Sequence, residues 1–280
     1  GQNQIDSSDP TLGNIVRDLF TNGLGASANL ARFTPDYYGA MADYAFAGNA
    51  ALTSHLRNRV TAPSSAKGDV YGGWNNHNFD TADSVDVNRN DAYVGGDYLV
   101  APGVKVGGTF TYNDGELNSK LGDGDVDGYG LSAYASADVF KGVSVFGLIG
   151  YSDQDFDLER TTQQGQVDAS TDVSSFVINA GARYLAYEKN ELSVAPYLVL
   201  GYEQASADSF SEEGAIDALR HGGYDASRFT ADLGVSGQWS TKIADRAFTV
   251  EAILGLRQIV SDDQDSMRAT LIANPAASYS

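Results

Sequence analysis

Carboxylates are the main chemistry this sequence offers: 37 Asp and Glu stand against 18 Lys and Arg, a formal charge of −19. The densest arrangement is DGDVDG (123–128), where Asp123, Asp125 and Asp127 alternate ahead of Gly128 as they do at the start of an EF-hand calcium loop. Such a loop needs a bidentate glutamate at its twelfth position and a helix after it. Counting from Asp123 puts Leu131 at position 9 and Tyr134 at position 12, and the residues after Gly128 alternate as a strand does. The three aspartates are therefore a weak calcium candidate on what reads as an external loop tip. No metal and no cofactor is expected. The pairs Glu212/Glu213 and Asp262/Asp263, and the run Asp153/Asp155/Asp157, read as solvated loops in a chain this acidic.

Other reactive groups are sparse. His55, His77 and His221 are far apart, no HExxH, GxSxG or Walker pattern occurs, and surface polar roles are expected for all three. The absence of cysteine excludes disulfides, thiolate zinc sites and thiol catalysis. The negative balance argues against nucleic acid, which needs basic patches, and against docking on anionic headgroups.

The elements that would carry these groups fall into two unlike parts. Up to about residue 62 the chain reads as helical, with Pro10 and Pro35 at first-turn positions and Ser8 and Thr34 as caps. The stretch DYYGAMADYAFAGNAALTSHLRNRV (36–60) would make a rod of roughly 37 Å, at 1.5 Å per residue. It is long enough to cross a bilayer and too polar to face lipid. From Asp69 onward the period is two. Val104, Val106, Phe110 and Tyr112 share one strand face, with Lys105, Thr109 and Thr111 on the other; runs at 176–184, 228–239 and 247–257 repeat the pattern, and a further strand is expected near Met267. Short connectors at 101–103, 140–142, 188–191 and 241–246 alternate with long polar ones near 79–90, 113–127, 153–172 and 205–226. That asymmetry is the habit of an outer-membrane barrel, with short turns at one end and long loops at the other. Tyr98, Tyr112, Tyr151, Tyr184, Tyr202 and Trp239 fall on apolar faces near strand ends, as interfacial aromatics would. Lys105, Arg183, Arg228, Asp232, Glu251 and Arg257 fall on the opposite faces and are expected to line a wet lumen.

The order of these parts resembles the translocator domain of autotransporters. TPDYYGAMADYAFAGNAALTSHLRNRV looks like that family's helix-to-barrel segment; DVYGGWNNHNFD and AYVGGDYLVAPGVKVGGTFTYNDG resemble its first strands. The resemblance implies an all-β fold: an antiparallel transmembrane β-barrel of twelve strands, about ten of them present, with an N-terminal α-helix filling the pore. It implies a linker over 1–34, a pore helix over 35–62 and a barrel over 63–280, C-terminally incomplete because NPAASYS lacks the family's final strands and terminal aromatic. Tyr37, Tyr44, Asn49, His55 and Arg57 would face the pore wall. The partners implied are outer-membrane lipid, the chain's own passenger and the barrel-assembly machinery, around a monomeric barrel without enzymatic activity in a Gram-negative outer membrane. Some members cleave at an asparagine within the pore, activated by nearby acidic residues; Asn49 and Asn58 lie in the matching helix and Asp232 or Glu251 are candidates to face the pore as activators, but no cleavage motif surrounds the asparagines, so an uncleaved helix is expected. The alternative is a porin-like or adhesin barrel with binding loops. An enzyme barrel using His77 or His221, and a soluble acidic sandwich, are the remaining readings.

Overall fold

A computed structural model describes residues 36–61, 67–81, 85–120, 122–162, 165–189, 191–243, 246–273 and 278–279. The linker expected over 1–34 lies outside them. One helix, α1 (Asp36–Thr61), comes first. The main sheet contains β1 (Gly68–Asp80), β2 (Asp86–Ala101), β3 (Val104–Asn118), β4 (Gly122–Phe140), β5 (Val143–Thr161) and β6 (Gln166–Tyr184). It continues through β7 (Tyr187–Lys189), β8 (Leu192–Ala207), β11 (Tyr224–Ile243) and β12 (Arg246–Gln264). All its pairings are antiparallel, in the order β1-β2-β3-β4-β5-β6-β8-β11-β12, with β7 on β8. Among the described residues β1 and β12 do not pair, so this ten-stranded sheet is not closed. A second small sheet joins β9 (Phe210–Ser211), β10 (Leu219–His221), β13 (Ala269–Leu271) and β14 (Ser278–Tyr279).

The long connectors expected at 79–90, 113–127 and 153–172 are a correction: they are mostly strand. β1 runs on to Asp80, β3 to Asn118 and β5 to Thr161, and their partners start within a few residues. Only 208–223, between β8 and β11, is a long excursion, and it carries β9 and β10. The strand expected near Met267 is the three-residue β13, which joins the small sheet and adds nothing to the main wall. At the opposite end the turns are as short as the sequence implies. Ala101 pairs with Val104 and Phe140 with Val143, so two residues close each hairpin. Gly103 and Gly142 take φ of 74° and 78° there, a left-handed conformation that glycine adopts without Cβ strain.

Side-chain parity holds along the strands except at bulges, one of them between β11 and β12 at Phe229/Thr230, while the solvent it meets changes. On the outer face of β4, Asp123, Asp125 and Asp127 give way to Tyr129, Leu131, Ala133 and Ala135; on β5, Glu159, Asp157, Asp155 and Asp153 give way to Tyr151, Ile149 and Val145. Inner positions are mostly apolar at the acidic end and mixed further down, where Phe146 and Leu148 stay apolar. Val126, Phe156, Leu158 and Val173 are buried at the acidic end, and Tyr134, Ser136 and Asn179 further down. DGDVDG is thus inside a strand. Its aspartates sit at i, i+2 and i+4 on an exposed face, about 6.6 Å apart per step, which spreads them instead of converging them. Among the described residues no group of three or more acidic or histidine side chains is gathered where it could hold a metal.

Candidate pore and its central helix

Below the acidic rows an exposed apolar band runs across the sheet. Leu131, Leu200, Leu233 and Leu256 leave 65, 57, 64 and 71% of their surface open. Its upper rim is a row of aromatics in register. Trp74 opposes Ala92, Ala92 opposes Tyr112, and Tyr112 opposes Tyr129; Tyr151 opposes Phe176, and Tyr202 opposes Phe229 with ring centroids 4.9 Å apart. Tyr98, Tyr184 and Trp239 form the lower rim, opposite Gly68, Val143 and Leu192. Of the six aromatics predicted for an interface, Tyr112, Tyr151 and Tyr202 stand in the upper row and the other three in the lower. Among the described residues no helix is long and apolar enough to cross a membrane, which says nothing about strands.

The inner face packs on α1, chiefly through β4, β5, β6 and β8. At its lower end Arg59 donates to Asp97 at 2.7 Å and to Asp69, and the Lys105 ammonium donates to the Arg59 carbonyl at 3.1 Å, satisfying a helix C-terminal acceptor. Tyr134 also donates to Asp97, at 3.1 Å. Midway, Asn179 donates to Thr53 at 2.7 Å and Ser175 to Asn49 at 3.4 Å. Asn49 has no carboxylate among its hydrogen-bond partners in the described residues. Asp232, suggested as an activator, instead lies 3.6 Å from Arg257.

Two of the predicted inner cations, Arg228 and Arg257, converge on a residue that went unpredicted. Glu203 is fully buried and accepts from Arg228 at 2.7 Å and from Arg257. Arg183 is half-buried on the inner face, His55 packs 4.0 Å from the Tyr93 ring, and Arg57 lies over Tyr197 at 4.4 Å. Tyr44 is fully buried and donates to Asn113 at 3.2 Å. The side chains of Tyr37, Asn58 and Glu251 lie outside the described residues. A gap of about 240 Å³ remains between the helix and β11–β12, lined by Ala50, Ser54, Arg57, Asp232 and Arg257. It has room for several waters at about 30 Å³ each.

The upper end is dry. Tyr38, Met41, Tyr44 and Phe46 pack with Val87, Leu117, Val126, Phe156 and Val173. His221, expected at the surface, is another correction: it is fully buried. Its Nε2 lies 3.3 Å from Glu212, which also accepts from Arg160 at 2.5 Å, from Tyr38 at 2.6 Å and from the Leu219 amide at 2.8 Å. Burial alone would raise the Glu212 pKa, but the hydrogen bonds from His221 and Arg160 and the guanidinium charge outweigh it and hold the group at about 2. Sequence reading missed Glu203, Asp97, Arg89 and Glu212. The first three stand at inner positions of alternating strands, so parity was the available signal; Glu212 had none.

Residues 66–280 match the family described as Autotransporter beta-domain. Two solved structures are similar in fold. The translocator domain of the autotransporter NalP from Neisseria meningitidis is 13% identical with a TM-score of 0.67, covering 80% of this chain and 83% of that one. The beta domain of the Bordetella autotransporter BrkA is 15% identical with a TM-score of 0.53, covering 73% and 83%. No curated protein matches the sequence.

Proposed function

The chain belongs to the autotransporter β-domain family, and from that premise we propose how its parts divide the work of export. As a translocator domain it sits in the Gram-negative outer membrane and supports passage of its own passenger to the cell surface; this is a transport role. In our reading the apolar band between the two aromatic rows meets lipid. The acidic strand extensions stand in water outside, and α1, the segment joining barrel to passenger, rests in the lumen as a plug. The residues before it form the linker toward the passenger. The barrel works as a monomer, is delivered by the barrel-assembly machinery, and carries no enzymatic activity.

The observation that carries this is the exchange of polar and apolar faces at the upper aromatic row. A soluble sandwich would have no reason to leave Leu131, Leu200 and Leu233 open to water while burying Lys105, Asp97 and Glu203 around a helix. A lipid-immersed wall has that reason, because its backbone is satisfied by the ladder and its outer side chains need only be apolar.

Planar-bilayer recording tests it. Deleting 35–60 is expected to raise single-channel conductance several-fold while brominated lipid still quenches Trp74 and Trp239. Unchanged conductance would remove the plug; unquenched tryptophans would remove the lipid-facing band.

A further inference from the structure

We propose that Arg89 and Arg228 form a two-sided clamp that sets the depth at which α1 stops in the lumen. The proposal rests on the plug reading above and concerns what gives the plug one resting register.

The two arginines come from the second and eighth strands in sheet order, β2 and β11, and reach the helix from opposite flanks. Arg89 is 4% exposed; its guanidinium lies 4.5 Å from the Tyr44 ring centre and donates to the Tyr44 carbonyl at 3.2 Å. Arg228 lies 4.2 Å from the Phe46 ring centre and donates to the Phe46 carbonyl at 3.3 Å. Tyr44 and Phe46 are two positions apart, which is roughly 200° around a helix of 3.6 residues per turn, so the two arginines grip one turn from nearly opposite sides. Each guanidinium is oriented from behind by a wall carboxylate. Asp91 accepts from Arg89 at 2.8 and 3.0 Å, and Glu203 accepts from Arg228 at 2.7 Å.

The carbonyls alone carry no register, since every helical residue presents one with a spare lone pair. The rings and one glycine do. A Cβ at position 48 would lie 2.5 Å from the Arg89 guanidinium carbon, so Gly48 opens the space that Arg89 fills. Sliding α1 by one turn either way would offer the clamp Ala40 and Ala42, or Gly48 and Ala50, in place of Tyr44 and Phe46. Both stacked contacts are lost at either neighbouring depth. A desolvated cation–π contact is large enough to shift a register ratio about tenfold.

Because the chain has no cysteine, disulfide trapping in the whole protein reads this directly. Thr53→Cys with Asn179→Cys reports the native depth, and Asn49→Cys or Arg57→Cys with Asn179→Cys reports a one-turn slip. With the clamp intact only the first pair should lock. In Arg89→Gln/Arg228→Gln the slipped pairs should gain about tenfold relative to the first, with flickering conductance. If that double variant does not fold, Tyr44→Leu/Phe46→Leu, which leaves the wall untouched, decides by the same ratio. An unchanged ratio in the folded variant overturns the clamp. Failure of the first pair in the unmodified background would instead overturn the plug reading itself.

Discussion

The upper and lower parts of this wall use one strand pattern for opposite purposes. Above the Trp74–Tyr129–Tyr151 row the outside is carboxylate and the inside is a core of rings and aliphatic groups around Tyr38, Met41 and Tyr44, which encloses the Arg89–Asp91 and Arg160–Glu212 pairs. Below it the outside is leucine and tyrosine, and the inside is mixed: ion pairs and amides around Thr53 and Arg59 beside a smaller apolar cluster of Leu56, Phe146, Leu148 and Val199. The hydrogen-bond ladder crosses that line in register from β1 to β11, and the β11–β12 pairing crosses it with one bulge at Phe229/Thr230. The comparison teaches that the backbone fixes only parity, while the medium on each side decides which parity is apolar. A helix running through both parts must itself change character, and α1 does, from aromatic at 38–46 to polar at 49–59.

The sharpest way to break the comparison is to hollow out the dry half. Phe156→Ala should cost about 3–5 kcal/mol, read as earlier melting and faster amide exchange in the upper strands, with exchange at Arg59–Asp97 little changed. Equal loosening at both ends would mean that the two halves are one core. Next in size is Ile149→Arg on the apolar band, expected to cost about 2–4 kcal/mol in lipid vesicles. The same arginine at Asp157, eight residues up the same face, should be within about 0.5 kcal/mol of neutral. Urea titration in vesicles measures both.

Acid should separate the halves by chemistry. The folded pKa of Glu212 is depressed to about 2, so its contribution is fully present above the ordinary carboxylate pKa near 4.5 and is lost as pH falls through about 2. The contribution is on the order of 3 kcal/mol. Proteolysis within 208–223 should rise across that window, and Glu212→Gln should flatten the dependence. The smallest effect is a gain. Asp125 opposes both Glu116 and Asp157 on the exposed face, so Asp125→Asn should stabilise by about 0.2–1 kcal/mol, with the gain shrinking as salt is added.

Much of the lower half was legible because its alternation is carried by large residues: Val106, Phe110 and Tyr112 against Lys105 and Thr109 announce both faces at once. The upper half hid the same signal in loop-like composition. D-V-D at 125–127 and D-F-D-L-E-R at 155–160 alternate cleanly, but Asp and Gly are rare in strands, and their weight concealed the period. What made them strands was the helix, which supplies the apolar surface that Val126, Phe156 and Leu158 need. Inner charges such as Lys105, Arg228 and Arg257 could be read from parity, and Arg89, Asp97 and Glu203 by the same rule. The Glu212–Arg160–His221 cluster could not, because its partners are 52 and 9 residues apart on elements whose meeting only the fold decides.

The carboxylate rows have a mechanical meaning. Asp114, Asp127, Asp155 and Asp172 oppose one another across four strands, one same-face step above the aromatic rim on β3 and β4 and two steps above it on β5 and β6. A body afloat between two liquids settles where its own waterline meets theirs. In the lipid-facing reading proposed above, the waterline is drawn within two residues on β3, β4 and β5 and within four on β6. Sinking by a single residue pair, roughly 6.6 Å of strand, would drag a whole rank of anions under hydrocarbon; rising by as much would lift the tyrosines out. The draught of the vessel is therefore written in its hull, and a chain threaded through it crosses a span of fixed length.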